Sequence, residues 1–162
     1  MSRASYKSLA AEAAGRVREI MPWDLQPLQR DRPDLLILDV RERSEFDAVR
    51  IAGSLNVPRG ILEAACEFDY IETVPELVRA RERPIVIVCR SGNRSALAAE
   101  VMQAIGYANV RSMRLGLKGW NDADLPLVDG RNLAIDPDQA AVALSPPVAT
   151  DQMDPARLRS QQ

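Results

Sequence analysis

The chain contains no histidine. That absence removes the Ser-His-Asp triad, the Cys-His pair and any imidazole acid or base, so a nucleophile here must be activated by backbone dipoles or by arginine. Cysteine is nearly as scarce. The two residues, Cys66 and Cys89, are too few for a disulfide scaffold and, without histidine, too few soft ligands for a closed structural zinc site. No apolar run approaches the ~20 residues of a membrane span, and Met1 to Ile20, Ala-rich with interspersed charges, lacks the apolar core of a signal peptide. Long blocks of one charge sign are missing too: 21 Lys+Arg stand against 23 Asp+Glu, a net charge of -2, which leaves no nucleic-acid footprint. The expectation is a cytoplasmic protein with no membrane or nucleic-acid partner, no metal and no cofactor.

What is present suits one ordinary domain, since 162 residues can bury a self-sufficient core. Leu35-Leu36-Ile37-Leu38 and Ile85-Val86-Ile87-Val88 are short, nearly continuous apolar runs, the pattern of strands buried on both faces of a parallel sheet. Between them the spacing predicts short helices near Ser44 to Val49, Gly60 to Glu67 and Pro75 to Arg83, and a brief strand from Ser54 to Val57. Such alternation implies βαβ crossovers and an α/β fold, a small parallel sheet with helices on both faces. A helix from Ser95 to Ile105, with Leu97, Val101, Met102 and Ile105 on one face and Gly106 as its C-cap, leads to a strand from Val110 to Met113. Gly116, Gly119 and Trp120 mark a turn and short helix, read as packing residues, with Lys118 exposed. At the ends, Ser5 to Met21 is expected to form one amphipathic helix through Leu9, Ala13, Val17 and Ile20, stopping at Pro22. Beyond Pro126 the composition shifts to Pro, Asp, Gln and Ala. The expected organisation is a helical extension over 1–22, a catalytic domain over 23–128, and a partly extended or disordered tail over 129–162.

The chemistry gathers at Cys89-Arg90-Ser91-Gly92-Asn93-Arg94-Ser95. A strand ending in cysteine, followed by a turn and a helix, puts the thiol at the carboxyl edge of the sheet, where open α/β folds bind ligands. Gly92 and Asn93 tolerate positive φ, so successive N–H groups can form a nest over the sulfur. The helix start near Arg94 or Ser95 adds its positive dipole end, and Arg90 and Arg94 add charge. All these terms favour a thiolate. It can attack a sulfur donor, hold the sulfur as a persulfide and pass it to a nucleophile in a two-step cycle.

Four segments in order carry a resemblance: Leu38-Asp39-Val40-Arg41-Glu42 with Glu45-Phe46, Ile51-Ala52-Gly53-Ser54-Leu55-Asn56-Val57-Pro58, Cys89 to Ser95, and Gly116 to Trp120. Together, over about Trp23 to Leu127, the chain resembles the rhodanese-like family and its single-domain sulfurtransferases. The resemblance implies the rhodanese-like fold, thiosulfate or a persulfide as donor, cyanide or a thiol as acceptor, and Cys89 as the sulfur-carrying nucleophile. Ser91, Gly92, Asn93 and Ser95 would line the substrate cradle, with Arg90 and Arg94 orienting an anionic donor because guanidinium forks suit oxyanions. A sulfur-carrier protein is a candidate acceptor, docked by the N-terminal helix or the acidic Asp136 to Asp154 stretch, and the motifs fit a monomer or a homodimer. One departure stands out: the family commonly has histidine before the Ile51-Ala52-Gly53 segment, where this chain has Arg50. That segment is mainly structural.

Other readings compete. A free cysteine after an apolar strand is commonly a small buried hydrophobe, a reading kept for Cys66, which receives no role, but reversed at Cys89 by the Arg-rich glycine turn. Asp39 and Arg41 read as scaffold, with Arg41 the likelier of the two to face the site. Cysteine-dependent phosphatases share the fold but place five residues between cysteine and arginine, whereas four separate Cys89 from Arg94 and Ser95 occupies the expected arginine position. A non-catalytic interaction module is the third alternative, disfavoured because such domains usually lack the cysteine.

Overall fold

The computed structural model describes residues 2–160; the outermost residues of both expected tails, 1 and 161–162, lie outside the described residues. In order, the elements are α1 (Tyr6–Ala14), β1 (Arg18–Ile20), α2 (Pro22–Asp31), β2 (Leu36–Asp39), α3 (Arg43–Ala48), β3 (Leu55–Asn56), α4 (Leu62–Ala65), α5 (Pro75–Val78), β4 (Ile85–Val88), α6 (Asn93–Ala104), β5 (Val110–Met113), α7 (Gly116–Asp122), α8 (Pro137–Ala143) and α9 (Pro155–Arg159). The strands make one five-stranded sheet, order β1-β5-β4-β2-β3, and every pairing is parallel.

The continuous apolar runs serve two layers at once. Leu36, Leu38, Ile85 and Ile87 point to one layer with Leu62 of α4, Leu77 of α5 and Ala98, Ala99 and Met102 of α6. Ile37, Val86 and Val88 point to the other, with Leu25 of α2, Leu117 and Trp120 of α7 and Ala140 of α8. Strand periodicity of two, buried on both sides, is why polar residues are missing from β2 and β4 until Asp39. This is the α/β fold with helices on both faces that the alternation predicts.

The N-terminal expectation is corrected. A single helix to Met21 does not form: α1 ends at Ala14 against Gly15, and Arg18–Ile20 becomes an edge strand with Ile20 opposite Met113. Pro22 opens α2 rather than stopping a helix, because its missing N–H is unneeded at the first helical position. The buried face of α1 is Ala10 and Ala13, while Leu9 is exposed. A similar inversion holds in α6, where Ser95, Ala96, Ala98, Ala99 and Met102 are buried and Leu97, Val101 and Ile105 are only half-buried. Sandwiched between the sheet and α1, α6 needs small side chains on two sides. Gly106, at φ +98, does end it.

The C-terminal stretch is drawn into the fold as far as Leu144. Val128 and Arg50 exchange backbone hydrogen bonds of 2.9 Å each way, Asn121 Nδ2 donates to the Pro137 carbonyl at 2.9 Å, and Ala140 and Leu144 are buried. From residue 145 to 160 the side chains are exposed apart from a half-buried Leu158. Arg50, in the place of the family's histidine, is structural: its guanidinium lies over the Phe46 ring at 4.7 Å and donates to Asn132 Oδ1 at 2.9 Å.

Candidate active site

β4 delivers Cys89 to the carboxyl edge of the sheet, and the chain turns sharply there. Only Gly92 needs positive φ, at +95; Asn93 is already the first residue of α6. The turn brings the Gly92 N–H to 3.1 Å and the Ser95 N–H to 3.4 Å from Cys89 Sγ. The thiol donates to Ser95 Oγ at 3.5 Å, and Ser95 Oγ bonds in turn to the Gly92 carbonyl at 3.1 Å and to Ser112 Oγ at 2.8 Å. Two amides, backed by the first turn of a twelve-residue helix, stabilise negative charge on the sulfur. The N–H groups of Ser91, Asn93 and Arg94 meet no acceptor among the described residues, which leaves them for an anion.

A second turn supports the first. Leu115 takes φ +69 and Gly116 φ +62, so that Leu117 N–H donates to the Cys89 carbonyl at 2.8 Å and Lys118 N–H to the Arg90 carbonyl at 3.1 Å. A Cβ on Gly116 would collide with the carbonyl of Arg90 and the amide of Ser91. The Gly116 to Trp120 motif is therefore a backing plate for the cysteine turn. Trp120, buried with Nε1 on the Pro126 carbonyl at 2.9 Å, anchors that plate.

The arginines divide into two kinds. Arg41, 1% exposed, does not face the turn. Its Nε and Nη2 fork onto Asp39 at 3.0 and 2.8 Å, and Nη2 also caps the Val49 carbonyl at 2.6 Å. Arg94 is committed to Glu45 through two bonds of 2.7 and 2.9 Å; that pairing holds the Glu45 carboxyl below the usual glutamate range and raises Arg94. Arg90 differs, because its half-buried guanidinium has neither hydrogen bond nor ion pair among the described residues. Ser91 is exposed at the rim and Asn93 half-buried.

Exposure does not separate the two cysteines, at 1% for Cys89 and 0% for Cys66. Surroundings do. Cys66 lies at the end of α4 beside Tyr107, and burial pushes its thiol up. Two site residues escape a reading along the chain. Ser112 sits in β5 with its hydroxyl under Ser95, and only its place as a buried serine between Arg111 and Met113 hints at it. Glu45 belongs to a quoted motif, but its pairing with Arg94 spans the sheet edge and leaves no local signal.

A rhodanese-like domain model matches residues 24–123. The chain belongs to the rhodanese-like domain family. It is 30% identical over 101 residues to the uncharacterized protein YibN of Escherichia coli K12, covering 62% of this chain and 66% of YibN, just under two thirds of that relative's length. A Rhodopseudomonas palustris protein of unknown function, described as a possible tyrosine phosphatase, superposes with a TM-score of 0.68 at 28% identity, covering 78% of this chain and 96% of that one. The homodimeric polysulfide-sulfur transferase of Wolinella succinogenes gives 0.59 at 25% identity, covering 76% and 87%. The rhodanese-like match begins inside α2, so α1 and β1 lie outside it. Among the described residues no helix is long and apolar enough to cross a membrane.

Proposed function

We propose that the protein is a sulfurtransferase in which Cys89 carries sulfane sulfur as a persulfide. The observation that carries the reading is the pair of amides, Gly92 and Ser95, on Cys89 Sγ in a turn whose neighbouring amides are unpaired. In the first half-reaction the Cys89 thiolate attacks the outer sulfur of thiosulfate; the S–S bond breaks and sulfite leaves with the electron pair. In the second, a cyanide or thiolate acceptor attacks the terminal sulfur, and the pair returns to Cys89. Arg90, beside the nucleophile and without an acidic partner, is the guanidinium available to a dianionic donor. Arg94 contributes as a clamp on Glu45 rather than as a free donor. The same commitment, together with the four-residue spacing, disfavours phosphoryl transfer, since no free fork follows the cysteine turn to hold a phosphate.

Purified protein treated with thiosulfate gains the mass of one sulfur atom, and Cys89→Ser abolishes both that gain and cyanide-dependent thiocyanate formation. A wild type that stays unmodified while hydrolysing aryl phosphates overturns the reading.

A further inference from the structure

Beside the cysteine turn lies an open cleft of about 450 Å³, walled on one side by Ser91, Gly92 and Asn93 and on the other by α1. Its α1 wall is built of small residues, Ala10, Ala11, Ala14 and Gly15, so no side chain fills it. Lys7 and Arg114 stand at its rim, both exposed, and neither has an acidic partner among the described residues. Some surface cations do pair with carboxylates, among them Arg59 with Glu63, Arg43 with Asp47 and, near the cleft, Arg16 with Glu100, but Lys7 and Arg114 are not among them. Glu19 is the one acid lining the cleft. A concavity of this size suits a small organic molecule with several polar groups, and it far exceeds what thiosulfate needs.

We infer that this cleft seats the carboxylate-bearing body of an anionic thiol acceptor, gripped by Lys7 and Arg114 while its sulfur reaches Cys89 past the Gly92 turn. The inference rests on the sulfurtransferase reading and assigns the acceptor class for that same site. The acceptor thiolate attacks the terminal sulfur of the Cys89 persulfide; a new S–S bond forms, the enzyme's S–S bond breaks, and the electron pair stays on Cys89. No outside oxidant is consumed. The start of α1 faces the same charges: burial pushes the Tyr6 phenol up, the negative charge of Cys89 adds to it, and Arg94 and Arg90 oppose it. α1 lies outside residues 24–123, the part of the chain that the family model matches.

The test has two arms. In the first, protein loaded from thiosulfate and freed of excess donor is mixed with mercaptosuccinate or with uncharged 2-mercaptoethanol, and loss of the added sulfur mass is followed. In K7Q/R114Q the rate ratio of mercaptosuccinate to 2-mercaptoethanol falls roughly tenfold, and added salt lowers that ratio in the wild type. In the second, Cys89→Ser protein is titrated with mercaptosuccinate while amide resonances are recorded; shifts at Lys7, Ala10 and Asn93 appear, and K7Q/R114Q abolishes them. An unchanged ratio, or shifts absent from those residues, overturns the inference while leaving sulfur loading intact. Failure to load sulfur with the shifts present would instead overturn the sulfurtransferase reading alone.

Discussion

Arg94 and Glu45 join the helix that follows the cysteine turn to the helix that follows β2, through a fork of two bonds at 2.7 and 2.9 Å. Glu45 also accepts the Glu42 N–H at 3.0 Å, closing the capping box of α3. One carboxylate thus fixes the start of α3 and the second residue of α6, and with it the pitch of the amides over Cys89.

The clamp makes stability depend on pH in a defined direction. Hydrogen bonding from Arg94 holds the Glu45 carboxyl below its usual value of 4.5. A carboxyl depressed by folding contributes its full stabilisation above the unfolded value, and loses it as pH falls through the lower folded one. Wild type is therefore expected to melt above Glu45→Gln at pH 7, with the gap closing as pH drops below about 4. Thermal melts of both proteins between pH 3 and 7 check this; a gap that widens on acidification contradicts it.

The hydroxyl pair beneath the sulfur predicts non-additivity. Ser95→Ala removes the hydroxyl that meets Cys89 Sγ and strands the buried Ser112 hydroxyl, which costs about 1–3 kcal/mol for the unsatisfied group. Adding Ser112→Ala removes the stranded group. The double variant is then expected to be no less stable than Ser95→Ala alone, a coupling that urea unfolding of the four proteins measures. Simple additivity would mean that the two hydroxyls do not share the bond.

Two glycines offer a matched comparison. Gly116 combines φ +62 with backbone of Arg90 and Ser91 where a Cβ would stand, whereas Gly60 has open space around the same position. Gly116→Ala must push the cysteine turn out of place, so a loss of at least about 2 kcal/mol together with loss of sulfur loading is expected. Gly60→Ala is expected within about 0.5 kcal/mol of wild type. Equal effects in urea titrations would remove the role assigned to the backing turn.

Much of this architecture is legible along the chain because the signals are local. Ile85 to Val88 ends in Cys89 and a glycine turn, which is enough to place that thiol at the carboxyl edge, and Leu36 to Asp39 repeats the strand pattern. What stays hidden depends on packing partners far away in sequence. The three residues of β1 carry no strand pattern of their own and become a strand only because β5 offers its edge. Of the apolar face expected on α6 only Met102 is fully buried, because the alanine face packs between the sheet and α1 instead. Arg94 looks like a free cation along the chain until Glu45 is seen to hold it, whereas Arg41, read as scaffold, is held by Asp39. Arg90 has no ion-pair partner among the described residues, and the donor-binding role is proposed for it on that ground.

Cys66 and Cys89 are equally buried, so alkylation tests whether environment alone separates them. Burial raises the Cys66 thiol above its ordinary range, and among the described residues no backbone amide donates to its sulfur as Gly92 does to Cys89. The reactive species is the thiolate, so Cys66 is expected to stay unmodified at pH 7.5 in the folded protein. Cys89, with two amides on Sγ at a turn on the sheet edge, has the charge stabilisation that Cys66 lacks. Iodoacetamide at pH 7.5 is therefore expected to add one group, mapped to the peptide holding Cys89. Cys89→Ser is expected to take none until urea unfolds it and Cys66 reacts. Loading with thiosulfate beforehand moves the alkylated atom to the outer sulfur, so that reduction releases the label from wild-type protein. Rapid labelling of Cys66 in folded Cys89→Ser would show that burial does not protect it, and would reopen a chemical role for the second cysteine.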